Sequence, residues 1–369
     1  MTFGGINMVD IQKQFEDFHD AIKLKRLKEN KELREKRDII TDKVKNGVKT
    51  KFEDMEKEVP SLDFIDQGSY AVDLGIIPED KDYDIDEGVI FDLYKEDYSD
   101  SVELKKIIRD ILENHTNTPP KIKNPCVTIT YSLDDEPAYH VDLPIYIKSK
   151  YNNNLYLAWG KEFATSENKY WDLADPEGLN SHIKNAYEDD AKKQFKRVVR
   201  YMKKWKDICF NSSGNSRPPS IGITIAAVDL FSYKQKYNSL TGKFKDDDLG
   251  ALKDFVSRLK NKFILKWDFE EEKNFYTIVY NLPVQPYSNV FSKMSNTQMD
   301  SFYQKLNELE NALIEAEGKS DPHEACKVLS PKYFGDKFPI PESKEARYKQ
   351  VALSSAPASN SAKGFNNEY

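Results

Sequence analysis

Asp84 and Asp86 stand one residue apart in YDIDEGVIFDL, and Asp142 lies inside YHVDLPIY. Side chains alternate faces in an extended segment. Asp84 and Asp86 therefore point one way while Ile85 turns to the other, and Val141 and Leu143 turn away from Asp142. A carboxylate in an otherwise apolar strand is costly to bury unless it is paired or binds a cation. Carboxylates gathered on neighbouring strands repel one another, and divalent cations relieve the conflict. Mg2+ favours oxygen ligands together with substrate phosphates, and Mn2+ accepts a similar set. Just upstream runs Gln67-Gly68-Ser69-Tyr70. Glycine lets the backbone approach a phosphate, and a serine hydroxyl with nearby N–H groups can hold a triphosphate. Asp84 follows Ser69 after 14 intervening residues. A Gly-Ser pair alone is usually a turn, and an Asp-x-Asp alone is usually a surface pair. In this order the pieces fit in-line displacement at an α-phosphate, with two metals clamping the attacking and leaving oxygens. Catalysis of that kind is largely positioning and charge stabilisation.

The elements that must position these residues form a mixed α+β chain. Ile11, Phe15, Phe18 and Ile22 recur at helical spacing, and Ile40, Val44 and Val48 continue a stripe. Residues 8–60 thus read as an N-terminal helical spine, one long helix or two abutting ones. The charged run KLKRLKENKELREKRD within it reads as a solvated face, its acids interleaved with its bases. Strands are expected at YDIDEGVIFDL, CVTITY and YHVDLPIYI, with a helix at 101–114, inside a catalytic core over 61–165. Helices are expected at 188–207, 220–235, 247–263 and 296–317, in a helical lobe over 166–345. Residues 346–369 are poor in apolar types and read as a disordered tail.

The chain has 369 residues, 39% of them hydrophobic and 32% charged, enough for two lobes with a substantial core. No stretch approaches the roughly 18–20 apolar residues that span a bilayer. The N-terminus lacks the basic-then-apolar pattern of a secretory signal. Cys126, Cys209 and Cys326 lie far apart, with no CxxC pair. A reducing, cytoplasmic setting is expected. A net charge of −7 argues against duplex nucleic acid as the main partner, though not against small anionic substrates.

At these residues the chain resembles the polymerase-beta-like nucleotidyltransferases, and within them the bacterial cGAS/DncV-like enzymes (CD-NTases) of CBASS antiphage systems. The resemblance rests on QGSYAVDLGIIPEDKDYDIDEGV and YHVDLPIY. It continues through RVVRYMKKWKD, RPPSIGIT, LPVQPYSNVFSKMSNTQMDSFYQKL and the KYFGDKFP stretch. It implies a bilobed α+β enzyme with a mixed-sheet catalytic lobe, a long N-terminal helix and a helical second lobe. It further implies Mg2+, ATP, GTP or other nucleoside triphosphates as substrates, and a cyclic di- or trinucleotide product acting on a separate effector. Carried over, Asp84, Asp86 and Asp142 hold the metals, and Asp142 is also the candidate base. Gln67, Gly68, Ser69 and Tyr70 cradle a nucleotide. Lys203 is the expected triphosphate contact, with Arg200, Lys204 and Lys206 as competitors within two turns of the same helix. Ser220 reads as a second contact or as a helix N-cap, and the two readings are compatible.

Two departures limit the resemblance. Some relatives carry an acidic base-contacting residue where PYSNVF places Ser288 and Asn289. The Cys/His cluster of the animal enzyme is missing, so activation by duplex DNA is not expected. In some operons of this group the C-terminus is conjugated to other molecules, and a free tail is the preferred reading here. His140 reads either as a neighbour of the metal ligands or as a hydrogen-bonded strand histidine. Two other functions use the same residues: template-independent synthesis of linear oligonucleotides or RNA ends, and a non-catalytic nucleotide-binding module.

Overall fold

The computed structural model describes residues 9–24, 29–79, 83–133, 136–211, 217–239 and 241–345. Helices α1 (Gln12–Ile22) and α2 (Glu29–Asp54) lead into a sheet built from β1 (Leu62–Gln67), β2 (Tyr83–Tyr94), β3 (Lys121–Ile122), β4 (Cys126–Leu133), β5 (Glu136–Ser149), β6 (Asn152–Trp159) and β7 (Tyr170–Ala174). The short α3 (Gly68–Ala71) follows β1, and α4 (Val102–Leu112) follows β2. The strand order is β1-β2-β5-β4-β3, and β6, beside the far end of β5, carries β7. Among the described residues only the β2–β5 pair of this sheet is parallel; its other pairs are antiparallel.

The alternation read in the sequence holds on β2 and β5. Ile85, Val89, Phe91, Val141, Leu143 and Ile145 are buried on one face. Ile40, Val44, Val48 and Phe52 of α2 and Leu104, Ile108 and Leu112 of α4 complete that core. Glu87 falls on the same apolar face and is the exception there. It lies opposite Asp66 on β1 and close to Arg37 of α2. Burial, followed by the Asp66 carboxylate, pushes its carboxyl up to about 8.

The second half contains α5 (Pro176–Lys184), α6 (Asp189–Cys209), α7 (Ser220–Leu230), the hairpin β8 (Gln235–Asn238) and β9 (Lys243–Asp246), α8 (Asp248–Lys260), the hairpin β10 (Ile264–Asp268) and β11 (Lys273–Thr277), α9 (Asn296–Glu317) and α10 (Pro322–Leu329). Its core includes Tyr201, Trp205, Phe255, Phe302 and Phe334, all fully buried.

Several expectations change. The N-terminal segment is two helices with different hosts. Phe15, Phe18 and Ile22 of α1 enter the helical core, whereas Ile40, Val44 and Val48 of α2 enter the sheet core. Of the two readings of this segment, one long helix or two abutting ones, the structure shows two helices with separate stripes. The sheet continues through β7, so a catalytic-lobe boundary at 165 cuts through it. The second lobe is not wholly helical, since it holds two hairpins, and α7 ends at Leu230 rather than 235. The expected disordered tail over 346–369 lies outside the described residues. No described helix is long and apolar enough to cross a membrane.

A polar seam joins the lobes. Arg200 of α6 donates to Gly75 O (3.2 Å), to Asp73 O (2.8 Å) and to the Asp73 carboxylate (3.2 Å). Its Nη1 also lies 3.0 Å from His19 Nε2. Burial, followed by the Arg200 guanidinium, holds the His19 imidazole down to about 4, against about 6.5 in an unfolded chain. Between those values the unfolded chain binds more protons than the folded one. The contribution of neutral His19 is therefore complete above about pH 6.5 and is lost as the pH falls through about 4. His19→Gln keeps an acceptor for Arg200 and should flatten the loss of stability over this window. Urea unfolding at a series of pH values checks it; equal slopes in both proteins would count against the assignment.

Candidate active site

Parallel pairing sets Asp86 directly opposite Asp142 and Asp84 opposite His140. Antiparallel pairing then sets Thr128 opposite Asp142 and Gln67 opposite Asp86. The sheet thus brings the three aspartates to one face, away from the α2 and α4 core. Asp84 is exposed and Asp86 half-buried. Burial, then the Asp142 carboxylate, then that of Asp84 push the Asp86 carboxyl up to about 7. Asp142 accepts a hydrogen bond from the Thr128 hydroxyl, and Lys123 Nζ lies 3.7 Å from its Oδ1. His140 sits beside Asp84, with its Nδ1 3.0 Å from Thr130 Oγ1. This geometry is that of a hydrogen-bonded strand histidine.

Gly68 begins α3 with φ at +66°, and a Cβ there would collide with Asp86 Oδ2. Only glycine combines that backbone conformation with so close an approach to the carboxylate. Ser69 and Tyr70 line the cleft beside it. Tyr70 OH accepts from Arg34 Nε, so α2 braces the motif from behind. Gln67 takes a different place. Its Oε1 accepts from Tyr146 OH at 3.0 Å, and its Nε2 is buried with no partner among the described residues. Gly88 leaves the room that Gln67 and Tyr146 occupy. In this structure the Gln67 carboxamide serves Tyr146, and Gln67 is not among the residues that line the cleft.

The facing wall of the cleft comes from α5, α6 and α7. The cleft has a volume of about 520 Å3 and includes Asp84, Asp86, Lys203, Lys206, Arg217 and Ser220. The four bases considered on α6 separate by partner. Arg200 and Lys204 are committed to the seam, Lys204 against Glu79. Lys203 is also turned into the seam and donates to Leu74 O at 2.9 Å. Burial, then Lys206 and Arg200, hold its ammonium down to about 7. The ammonium that meets Ser220 belongs to Lys206, whose Nζ lies 2.5 Å from Ser220 Oγ. Ser220 is the first residue of α7, and Pro219 holds the cap position, so the N-cap reading fails. The N-terminus of α7 nevertheless opens on the cleft, and helix N-termini favour anions.

Sequence reading missed Arg217, which is tied to Phe210 O at 3.2 Å and lies 3.7 Å from Asp207. It also missed Asn180, Thr128 and Lys123. Arg217 precedes the helix-opening PPS and left a weak trace; the others carry no motif of their own. Asn289 spends its carboxamide oxygen on the N–H groups of Tyr280 (3.0 Å) and Phe291 (3.1 Å), shaping its own loop.

The aspartates fit a divalent cation by their chemistry: oxygen donors on one face, with the Asp86 carboxyl raised by burial and then by its neighbours. Among the described residues no three His, Cys, Asp or Glu side chains close into a finished metal cage.

Comparison with known proteins bears on the fold and on the β1–β5 segment. Residues 62–146 match the family model for the nucleotidyltransferase domain of DncV-like cyclic GMP-AMP synthases. A cyclic GMP-AMP synthase of Escherichia albertii is 32% identical over 169 residues, taking in 43% of this chain and 35% of the relative. The matched stretch therefore spans about a third of that protein. Vibrio cholerae DncV, a cyclic AMP-GMP synthase described as a prokaryotic cGAS homolog, has a TM-score of 0.61 at 17% identity, covering 89% of this chain and 97% of that one. Escherichia coli DncV with 3'-deoxy GTP bound has a TM-score of 0.60 at 17% identity, over 88% and 97%. At such identities the likeness shows the fold. The matched stretch, β1 to β5, is thus similar to a DncV-like nucleotidyltransferase domain, and the fold of the two DncV structures extends over both lobes of this chain.

Proposed function

We propose that this chain joins nucleoside triphosphates, ATP and GTP among them, and closes the product into a cyclic oligonucleotide. The observation that carries the reading is the Asp86–Asp142 pairing, with the Gly68-Ser69 turn at one side and Lys206 with Ser220 across the cleft. The relatives support the choice of product: the E. albertii protein is a cyclic GMP-AMP synthase, and V. cholerae DncV has been seen with the linear intermediate pppA(3',5')pG.

In this reading Asp84, Asp86 and Asp142 would hold Mg2+. Bound there, the metal would supply positive charge that acidifies the attacking hydroxyl and stabilises the leaving phosphates. The Ser69 hydroxyl, the N-terminus of α7, Lys206 and Arg217 would bind the triphosphate tail, whose negative charge they match. An acceptor ribose hydroxyl attacks the α-phosphorus, a P–O bond forms, the bond to the β-phosphate breaks, and pyrophosphate leaves. Asp142 takes the hydroxyl proton, its carboxylate oriented by Thr128. A second round of the same displacement closes the ring. Leu179, Ile183 and Ile221 give the cleft apolar walls against which bases pack. The product would then act as a diffusible second messenger on a separate effector, in an antiphage role.

Incubation with labelled ATP, GTP, CTP and UTP and Mg2+, followed by phosphatase, tests the product. A phosphatase-resistant, cyclic mass is expected; a fully sensitive product would establish linear synthesis instead. Asp84→Asn with Asp86→Asn should abolish product, and its persistence would remove the metal assignment.

Gly68→Ala should lower turnover about a hundredfold, the usual effect of displacing a reacting group by about 1 Å. Steady-state assays with melting curves check this. Unchanged turnover would mean that the approach of Gly68 to Asp86 is not needed.

A further inference from the structure

Lys123 stands beside the carboxylates yet has no part in the reaction set out above. It lies in the turn between β3 and β4. The pairing of Lys121 with Thr128, and of Thr128 with Asp142, puts Lys121 and Lys123 on the aspartate face. Lys123 Nζ is 3.7 Å from Asp142 Oδ1, and its charge also acts on Asp86. The lysine side chain is 50% exposed and the Asp142 side chain 21%, so the ammonium has open solvent to move into.

The turn that carries Lys123 is held by a fully buried lysine. Lys105 of α4 donates to Lys123 O (3.1 Å), Asn124 O (2.6 Å) and Gly160 O (2.9 Å). Three carbonyls match the three donors of an ammonium, which makes its burial tolerable. Gly160 N donates to Asn124 O at 3.0 Å, and Lys123 N to Cys126 O at 2.9 Å. The main chain at Lys123 is therefore fixed on every side, while its side chain keeps a flexible four-carbon stem.

We propose that Lys123 is the resident counter-ion of the carboxylate site: its ammonium offsets Asp142 and Asp86 while no divalent ion is bound, and it swings into solvent when one enters. This rests on Asp84, Asp86 and Asp142 being the metal ligands. An ammonium and a dication repel each other at one carboxylate. Lys123 therefore weakens binding of the bare ion and stabilises the metal-free site. Incoming triphosphate offsets that repulsion, so metal loading is coupled to substrate.

The test uses the full chain stripped with EDTA, titrated with Mn2+ alone and followed by the electron paramagnetic resonance of free Mn2+. Lys123→Met should tighten the midpoint about two- to fivefold, the range that a partly exposed ion pair supplies. It should also lower the melting temperature of the metal-free protein, while Lys123→Arg keeps the wild-type midpoint. An unchanged or weaker midpoint in Lys123→Met, with wild-type binding that Asp86→Asn abolishes, overturns this inference alone. If wild-type protein binds no Mn2+ at the carboxylates, both the metal reading and this inference fall.

Discussion

The parallel pairing of β2 with β5 is the constraint on which the site depends. It places Asp86 and Asp142 side by side, and the alternation of each strand puts Ile85, Val141 and Leu143 into the opposite core. A slip of one residue would bury the carboxylates and expose the apolar set. The hydrophobic core thus enforces the register that gathers like charges at one place. Burial, then the Asp142 and Asp84 carboxylates, raises the Asp86 carboxyl, and in the proposed reading a divalent cation with phosphates would relieve that repulsion.

The second lobe contributes by holding the connection between Gly-Ser and Asp-x-Asp. Lys196, Arg200, Lys203 and Lys204, spaced along α6, take Asp73, Gly75, Leu74 and Glu79 in turn. That contact surface explains why a helix rich in bases leaves few of them for substrate. It also explains why Phe15 and Phe18 of α1 belong to the helical core, since α1 returns to the same seam through Ile22 O and Ile77 N at 2.7 Å. The catalytic strands are therefore aligned from two sides, by α2 and α4 beneath the sheet and by α6 across the cleft.

Much of this was legible in the sequence, for definite reasons. Asp84, Asp86 and Asp142 sit in strands whose alternation is strong, so their facing follows from local pattern. Gly68 announced a close approach, although its neighbour is Asp86 Oδ2 and the sequence could name only a phosphate. The choice among Arg200, Lys203, Lys204 and Lys206 was not legible. One helical turn decides which side chain meets Ser220 and which meets the backbone at 73–75, and helical spacing alone cannot say where that backbone lies. Gln67 lies opposite Asp86 and shares its face, and the sequence alone could not show that its carboxamide runs along that face to Tyr146. β6 and β7 were missed because their exposure is mostly intermediate and no clear alternation marks them.

The most direct test of the central claim is anomalous diffraction from crystals grown with Mn2+ and a non-hydrolysable nucleoside triphosphate. The account predicts Mn2+ peaks against Asp84, Asp86 and Asp142, with the triphosphate tail running from Ser69 to Lys206 and the N-terminus of α7. Mn2+ peaks away from these carboxylates, or a triphosphate bound outside this cleft, would contradict it.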